Sequence, residues 1–252
     1  IADQSAAVER RHRADAARVK AFIASHGGKA KTDPIDAGWL ACYGRERLKI
    51  LAPWHAPCPT REAVAICMRR RQALLASRTA ARNRSSAPGQ EAVADLLDAE
   101  IAFLTGQIET LNARIDELAA TSAAIARDEQ ALRTIPGIGP VFARSLIAFI
   151  PELGNLSAKA AASLAGLAPH PRESGQTSKR RRMSGGRDGL RPIAFMAALT
   201  APRRHPQLAA FYQRLINAGK PKRLALAAVA RKLVVIANAV LKHVRTTMQP
   251  LT

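Results

Sequence analysis

The sequence has few aromatic residues. Phe, Trp and Tyr make up only 4% of its 252 residues, although 48% of the chain is hydrophobic. This composition, with alanine abundant, does not suit an aromatic-rich β-sandwich and favours helices that pack through small side chains. We therefore expect a mainly α fold with enough apolar surface for one large domain or two smaller ones.

Cysteine and long apolar runs are also scarce. The three cysteines, Cys42, Cys58 and Cys67, form no CxxC pair, so we expect reduced thiols and a cytoplasmic protein. The most apolar stretch, residues 224–242, is interrupted by Arg231 and Lys232. No uninterrupted apolar run approaches the roughly 20 residues that span a bilayer, and we expect no membrane partner.

Acidic residues are half as frequent as basic ones. The chain has 39 Lys and Arg against 19 Asp and Glu, which leaves a formal charge of +20. Basic clusters occur at residues 10–13, 69–71 and 179–182. Because basic side chains release counterions from phosphates, this excess predicts a nucleic-acid partner. For any single cluster, a solvated arginine-rich surface remains the alternative.

Three regions differ in pattern: residues 1–58, 59–130 and 131–252. The first is mixed and includes a possible short strand at 48–52. The second predicts long helices separated by the breaker sequence SSAPG at 85–89. Its later helix carries an apolar heptad seam typical of a coiled coil, formed by Leu97, Ile101, Leu104, Ile108, Leu111, Ile115 and Leu118. The partner of this seam is either the preceding helix or a second chain, and we expect it to mediate homo-oligomerisation.

The third region opens with the sequence TIPGIGPVFARSLIAFI. Gly137 and Gly139 form a glycine-apolar-glycine turn between two helical segments, the local pattern of a helix-hairpin-helix motif. Glycine there would let backbone N–H groups at the start of the second helix approach a DNA phosphate. An ordinary interhelical turn is the alternative. Beyond an irregular basic segment at 170–189, helices are expected at 190–201, 206–217 and 221–245. The last of these has an expected core stripe of Leu226, Val229, Leu233, Ile236, Val240 and Val244.

Two carboxylates stand three residues apart in the sequence KTDPIDAGWLA. With Pro34 at the first helical position, Asp33 would be the N-cap and Asp36 the third helical residue, and both would interact favourably with the helix dipole. Alternatively, residues three apart share a helix face, so both carboxylates can converge on divalent cations. The two interpretations are compatible.

Taken in order, these motifs resemble a known family. KTDPIDAGWLA, a coiled coil, LRTIPGIGPVFARSLIAFI and AGLAPHPRESGQTSKRRRMSGGRDGLRPIAFMAAL are similar to the DEDD-type transposases of bacterial insertion sequences, the insertion-sequence 110 and 1111 group. The resemblance covers nearly the whole chain. It implies an N-terminal RuvC-like α/β nuclease domain, a coiled-coil middle and a helical C-terminal transposase domain in a protein that acts at the bacterial nucleoid.

The resemblance also implies roles for individual residues. Asp33 and Asp36 match the last two metal-binding aspartates, which would hold Mg²⁺ or Mn²⁺. Ser174 matches the catalytic serine, with Ser178 and Ser184 as nearby alternatives. The family uses a structured guide RNA and works as an oligomer on DNA. The basic residues that would neutralise phosphate near the serine are Lys179, Arg180, Arg181, Arg182, Arg187 and Arg191.

The match departs from the family at the N-terminus. Only 32 residues precede Asp33, too few for the strands that carry the family's first Asp and its Glu. We therefore expect an incomplete RuvC-like portion in an N-terminally truncated chain. A non-catalytic DNA- or RNA-binding protein is the alternative to an active transposase.

Overall fold

The computed structural model describes residues 12, 14–28, 32–51, 58–174, 177–187 and 189–247, and for residues 170–182 it describes the backbone alone. The chain divides into two compact units, residues 1–57 and 58–252. Helices dominate the described elements, which confirms the mainly α prediction.

The first unit contains two helices, α1 (Ala16–Ser25) and α2 (Asp33–Arg47), and a short 3-10 helix, Leu48–Ile50. The Asp15 carboxylate caps α1 by accepting a 3.0 Å hydrogen bond from the backbone N–H of Arg18. Phe22 and Tyr43 pack edge to face, with ring centroids 5.2 Å apart. The strand predicted at 48–52 was wrong, because its first residues continue the end of α2 as the 3-10 helix.

The second unit begins with an antiparallel pair of long helices, α3 (Pro59–Ser85) and α4 (Ala94–Ala120), joined by a loop with a 3-10 helix, Glu91–Val93. Arg84 pairs with Glu100 near the loop, whereas Arg71 contacts Asn112 farther along, so the helices run in opposite directions. Leu104 and Ile108 of the heptad seam are buried against Leu74 of α3. The partner of the seam in this structure is therefore α3 of the same chain.

The rest of the second unit packs six helices and one β-hairpin. The elements are α5 (Ala123–Arg133), α6 (Pro140–Phe149), α7 (Ala158–Leu164), β1 (Pro169–Ser174), β2 (Thr177–Met183), α8 (Leu190–Arg204), α9 (Pro206–Asn217) and α10 (Lys222–Thr247). The helices predicted after residue 190 are confirmed. The prediction of an irregular segment at 170–189 was wrong where the two strands lie, and these strands pair antiparallel. Their sequence lacks the alternating apolar face that signals a strand.

Helix α10 lies at the centre of this core and packs against α5, α7, α8 and α9. Its buried face includes Ala225, Ala237 and Leu241 as well as the predicted Val229 and Leu233. Ile236 and Val240 of the predicted stripe are only half-buried. By length and composition α10 could also cross a membrane, but here it is a core helix that packs against four others.

Candidate catalytic residues and nucleic-acid interface

Asp33 and Asp36 lie in the first turn of α2. The helix begins at Asp33 itself, so Thr32 is the N-cap and Pro34 occupies the second helical position. The prediction that Asp33 is the cap residue was therefore wrong, and the cap makes no side-chain hydrogen bond. Both carboxylates still suit the positive end of the helix dipole.

The two aspartates are accessible to a ligand. Asp33 is exposed and Asp36 is partly exposed. Across the described residues, no group of three or more His, Cys, Asp or Glu side chains is placed to hold a metal ion. Mg²⁺ usually takes one or two protein carboxylates and completes its octahedron with waters and substrate phosphate. A magnesium ion bound by these two carboxylates would therefore need those additional ligands.

The turn between α5 and α6 contains both predicted glycines. Gly137 has a φ of +97°, and a Cβ on it would lie 2.6 Å from the Cβ of Ala201 on α8. Gly139 differs, because it is the N-cap of α6 and a Cβ there would meet nothing within 4 Å. Gly137 therefore packs the turn against α8, while Gly139 leaves the start of α6 open to a ligand.

A cavity of about 510 Å³ borders this turn, where α4, α5 and α6 meet. Arg144 lines it and donates hydrogen bonds to Glu129, at 2.9 Å, and to Asp116. Burial alone would lower the pKa of Arg144, but the hydrogen bonds and charges of Glu129 and Asp116 raise it above its usual value. The cluster holds α4, α5 and α6 together beneath the turn.

Ser174 is the last residue of β1 and pairs with Thr177 of β2. The basic residues Lys179, Arg180, Arg181 and Arg182 belong to β2. The register shifts between His170 and Arg172. From the sequence, the serine and the basic residues were expected in one irregular segment. In the structure, their backbones belong to one β-hairpin.

The chain leaves the hairpin through a closely anchored segment. The Arg187 guanidinium donates two hydrogen bonds to the Glu152 carboxylate, at 2.8 and 2.6 Å, and a third to the carbonyl oxygen of Phe149. The Arg187 backbone N–H also donates to the carbonyl of Leu164, at 2.8 Å. Arg187, predicted to bind nucleic acid, thus ties the base of the hairpin to α6 and α7, and its side chain is still 35% exposed.

Close backbone packing also holds the segment at the base of the hairpin. Gly186 has a φ of +82°, and a Cβ there would clash with the backbone nitrogen of Gly166, so a larger residue does not fit. Arg191, the other predicted arginine, donates a 2.8 Å hydrogen bond to the carbonyl of Gly185. Both predicted arginines therefore hold the segment that follows the hairpin.

Sequence reasoning missed Glu152, which is the partner of Arg187. It also missed Asp128, which is only 1% exposed and is surrounded by arginines. Nothing in the local sequences PELG and ARDEQ distinguishes a structural carboxylate from a solvated one, since the partners lie 35 and up to 117 residues away. An ion pair between residues so far apart cannot be recognised from the sequence around either partner.

Comparison with known proteins finds a match to the part of the chain that contains this hairpin. Residues 129–213 match the family model described as Transposase IS116/IS110/IS902 family. This stretch contains the Gly137–Gly139 turn, the hairpin with Ser174 and the anchored segment after it.

Two curated proteins are similar over most of the chain. They are the pilin gene-inverting proteins of Moraxella bovis and Moraxella lacunata, each 29% identical over 231 residues, which cover 90% of this chain and 71% of the relative. The chain is thus similar to a transposase family over residues 129–213 and to two gene-inverting proteins over most of its length.

Proposed function

We propose that this protein is an insertion-sequence transposase that cuts and rejoins DNA through Ser174, with divalent metal at Asp33 and Asp36 and a structured RNA as guide. The observation that carries the proposal is the family match over residues 129–213. That segment includes Ser174 at the end of a hairpin whose base is held by the Arg187–Glu152 pair.

The serine step is a phosphoryl transfer. The Ser174 oxygen would form a bond to a DNA phosphorus while the bond from phosphorus to the leaving DNA oxygen breaks. The serine proton passes to a base, and the leaving oxygen gains a proton as a free hydroxyl. The phosphoserine link conserves the phosphodiester bond until a second DNA hydroxyl attacks and releases the serine.

Serine requires activation for this role, because a neutral hydroxyl is a weak nucleophile. Mg²⁺ or Mn²⁺ held by Asp33 and Asp36 would bind phosphate oxygens of the DNA and stabilise their negative charge. The proposed contacts to DNA or RNA phosphates are Lys179 to Arg182 and the start of α6 at Gly139. The positive charge of these basic residues and the positive end of the helix dipole would offset the charge of the transition state.

Oligomerisation through the α3–α4 pair is part of the proposal. The heptad seam is already covered by α3, so a second copy would use other positions. Leu96 and Phe103 lie seven residues apart on α4 and are each 66% exposed. Their spacing places them on one face of the helix, where they offer an apolar surface to another copy.

The test is detection of a covalent protein–DNA adduct. The complete gene product would be incubated with DNA from the ends of the insertion sequence, the RNA that the insertion sequence encodes and Mg²⁺, and then separated under denaturing conditions. We expect Ser174→Ala to abolish the adduct and to leave salt-sensitive DNA binding intact. Ser184→Ala is the matched control, since Ser184 is exposed just beyond β2, and it should form the adduct normally.

The metal assignment is tested in the same assay. We expect Asp33→Asn and Asp36→Asn to lower adduct yield by about 100-fold or more, the usual loss when a group that stabilises a transition state is removed. An unchanged adduct in Ser174→Ala would contradict the nucleophile assignment. Salt-sensitive binding with no adduct from the unsubstituted protein would instead support a non-catalytic nucleic-acid-binding protein.

A further inference from the structure

The buried carboxylate of Asp128 is surrounded by more positive charge than it can neutralise. Arg245 of α10 lies 2.6 Å from its Oδ2, Arg127 of α5 lies 3.4 Å from its Oδ1, and Arg61 of α3 lies 4.0 Å from its Oδ2. Three guanidinium groups against one carboxylate leave a local charge of +2, from three positive charges and one negative.

In the part of the chain that the structure describes, the nearby carboxylates form ion pairs with other arginines. Glu129 pairs with Arg144 and Arg133, and Glu152 pairs with Arg187. Of the ion pairs among the described residues, those of Arg61, Arg127 and Arg245 all go to Asp128. The cluster therefore carries a net positive charge within the folded protein.

The exposed fractions of these four side chains favour binding of an anion from solvent. The Asp128 side chain is 1% exposed, whereas those of Arg61, Arg127 and Arg245 are 20%, 39% and 23% exposed. A ligand that approaches from solvent thus meets guanidinium nitrogens before it meets the carboxylate. Carbonyl oxygens help to fix two of these side chains, since Arg61 donates to Pro151 at 3.4 Å and Arg245 to Leu153 at 2.5 Å.

Arg61 and Arg127 retain unused hydrogen-bonding capacity. The Nε of each is buried and has no hydrogen-bond partner among the described residues. Their contacts to Asp128 are also the longer two of the three. A phosphate group has several acceptor oxygens and can accept hydrogen bonds from two guanidinium groups at once, in geometry that a single shared carboxylate does not provide.

We propose that Arg61 and Arg127 bind one phosphodiester group of a nucleic-acid backbone. Both are positioned by Asp128, and Arg61 is also positioned by the carbonyl of Pro151. The inference rests on the proposed function, because it takes the ligand to be the nucleic acid on which the protein acts. Arg245 has mainly a positioning role, since it makes the short contact with Asp128 and joins α10 to α5.

The first experiment compares nucleic-acid affinity in two arginine variants. Arg127→Gln removes one proposed phosphate contact. Arg84→Gln removes an equal charge from an exposed one-to-one pair with Glu100 and is the control. Affinity for a labelled DNA duplex, and for an RNA of the same sequence, would be measured over a range of salt concentrations.

We expect Arg127→Gln to weaken binding about 10-fold and to reduce the slope of log affinity against log salt by about 1, the effect of losing one phosphate contact. Arg84→Gln should stay within about twofold of the unsubstituted protein. An equal loss of affinity for DNA and RNA identifies a contact to the backbone that both share. A loss of affinity for one of them identifies which nucleic acid occupies the site.

A second measurement tests the anion site directly. The melting temperature would be recorded in sodium phosphate and in sodium chloride of equal ionic strength. We expect phosphate to raise it for the unsubstituted protein and for Arg84→Gln, and to raise it less for Arg127→Gln. Arg61→Gln is a second variant with the same expected result.

Two results would overturn the inference in distinguishable ways. If folded Arg127→Gln and Arg61→Gln bind DNA and RNA with unchanged affinity and salt slope, the site is wrong while the adduct assay still decides the proposed function. If the unsubstituted protein binds neither DNA nor RNA, the proposed function fails and the ligand assigned to the arginines fails with it.

Discussion

Replacing Gly137 by alanine tests whether the α5–α6 turn depends on this glycine. Its φ of +97° lies in a region where a residue with a Cβ is strained by about 1–3 kcal/mol. The new Cβ would also lie 2.6 Å from the Cβ and 2.8 Å from the Cα of Ala201, and such overpacking costs about 1–3 kcal/mol more. We therefore expect the free energy of unfolding to fall by about 2–6 kcal/mol.

The control is the second glycine of the same turn. Gly139 has a φ of −87° and open space at its Cβ position, so Gly139→Ala should lower the free energy of unfolding by less than about 1 kcal/mol. Urea unfolding followed by far-ultraviolet circular dichroism measures both values. Gly139→Ala should affect nucleic-acid affinity instead, because its methyl group would face an approaching phosphate.

A double substitution separates the two causes of the Gly137 effect. Ala201→Gly removes the methyl group that lies 2.6 Å away, but the new side chain would still crowd the backbone of residue 201, and the positive φ is unchanged. Gly137→Ala combined with Ala201→Gly should therefore recover only part of the lost stability. A loss for Gly137→Ala no larger than that for Gly139→Ala would refute the reasoning.

Two further substitutions test contacts that the sequence did not predict. Asn238→Ala should lower the free energy of unfolding by about 2–4 kcal/mol, because it leaves a buried N–H and a carbonyl of the α6–α7 loop unpaired; urea unfolding measures it, and the exposed Asn217→Ala should change it by less than about 0.5 kcal/mol. Arg187→Gln and Glu152→Gln should both reduce adduct yield, because each breaks the pair at the base of the hairpin. A loss in Arg187→Gln alone would show that Arg187 contacts the nucleic acid itself.

The sequence was sufficient where structure depends on local pattern. The SSAPG breaker, the heptad seam and the Gly137–Gly139 turn correctly predicted helices on both sides of the α3–α4 loop and of the α5–α6 turn, because helix periodicity and glycine are local signals. The break between α4 and α5, where Ser122 caps α5, was not predicted. The position of the buried face on α10 was only partly predicted. Alanines form part of that face, and their small apolar side chains do not reveal from sequence which side of a helix is buried.

Long-range contacts could not be predicted in the same way. The β-hairpin around Ser174 is basic and polar, so the pairing of its backbones leaves no apolar alternation to recognise. Arg187 was expected to bind phosphate because it lies in a basic stretch, but its carboxylate partner Glu152 is 35 residues away. The buried position of Asp128 likewise depends on arginines from three helices.

The α3–α4 pair extends well beyond the main core. Near its base, Met68 of α3 and Ile115 of α4 belong to the large cluster, whereas Leu74, Leu104 and Ile108 form a small cluster of their own. From Met68 to Ser85 the helix runs about 25 Å at 1.5 Å per residue. The part of the α3–α4 pair that lies beyond Met68 can therefore open by local unfolding without disturbing the main core. Its backbone amides will exchange hydrogen faster than those of α10.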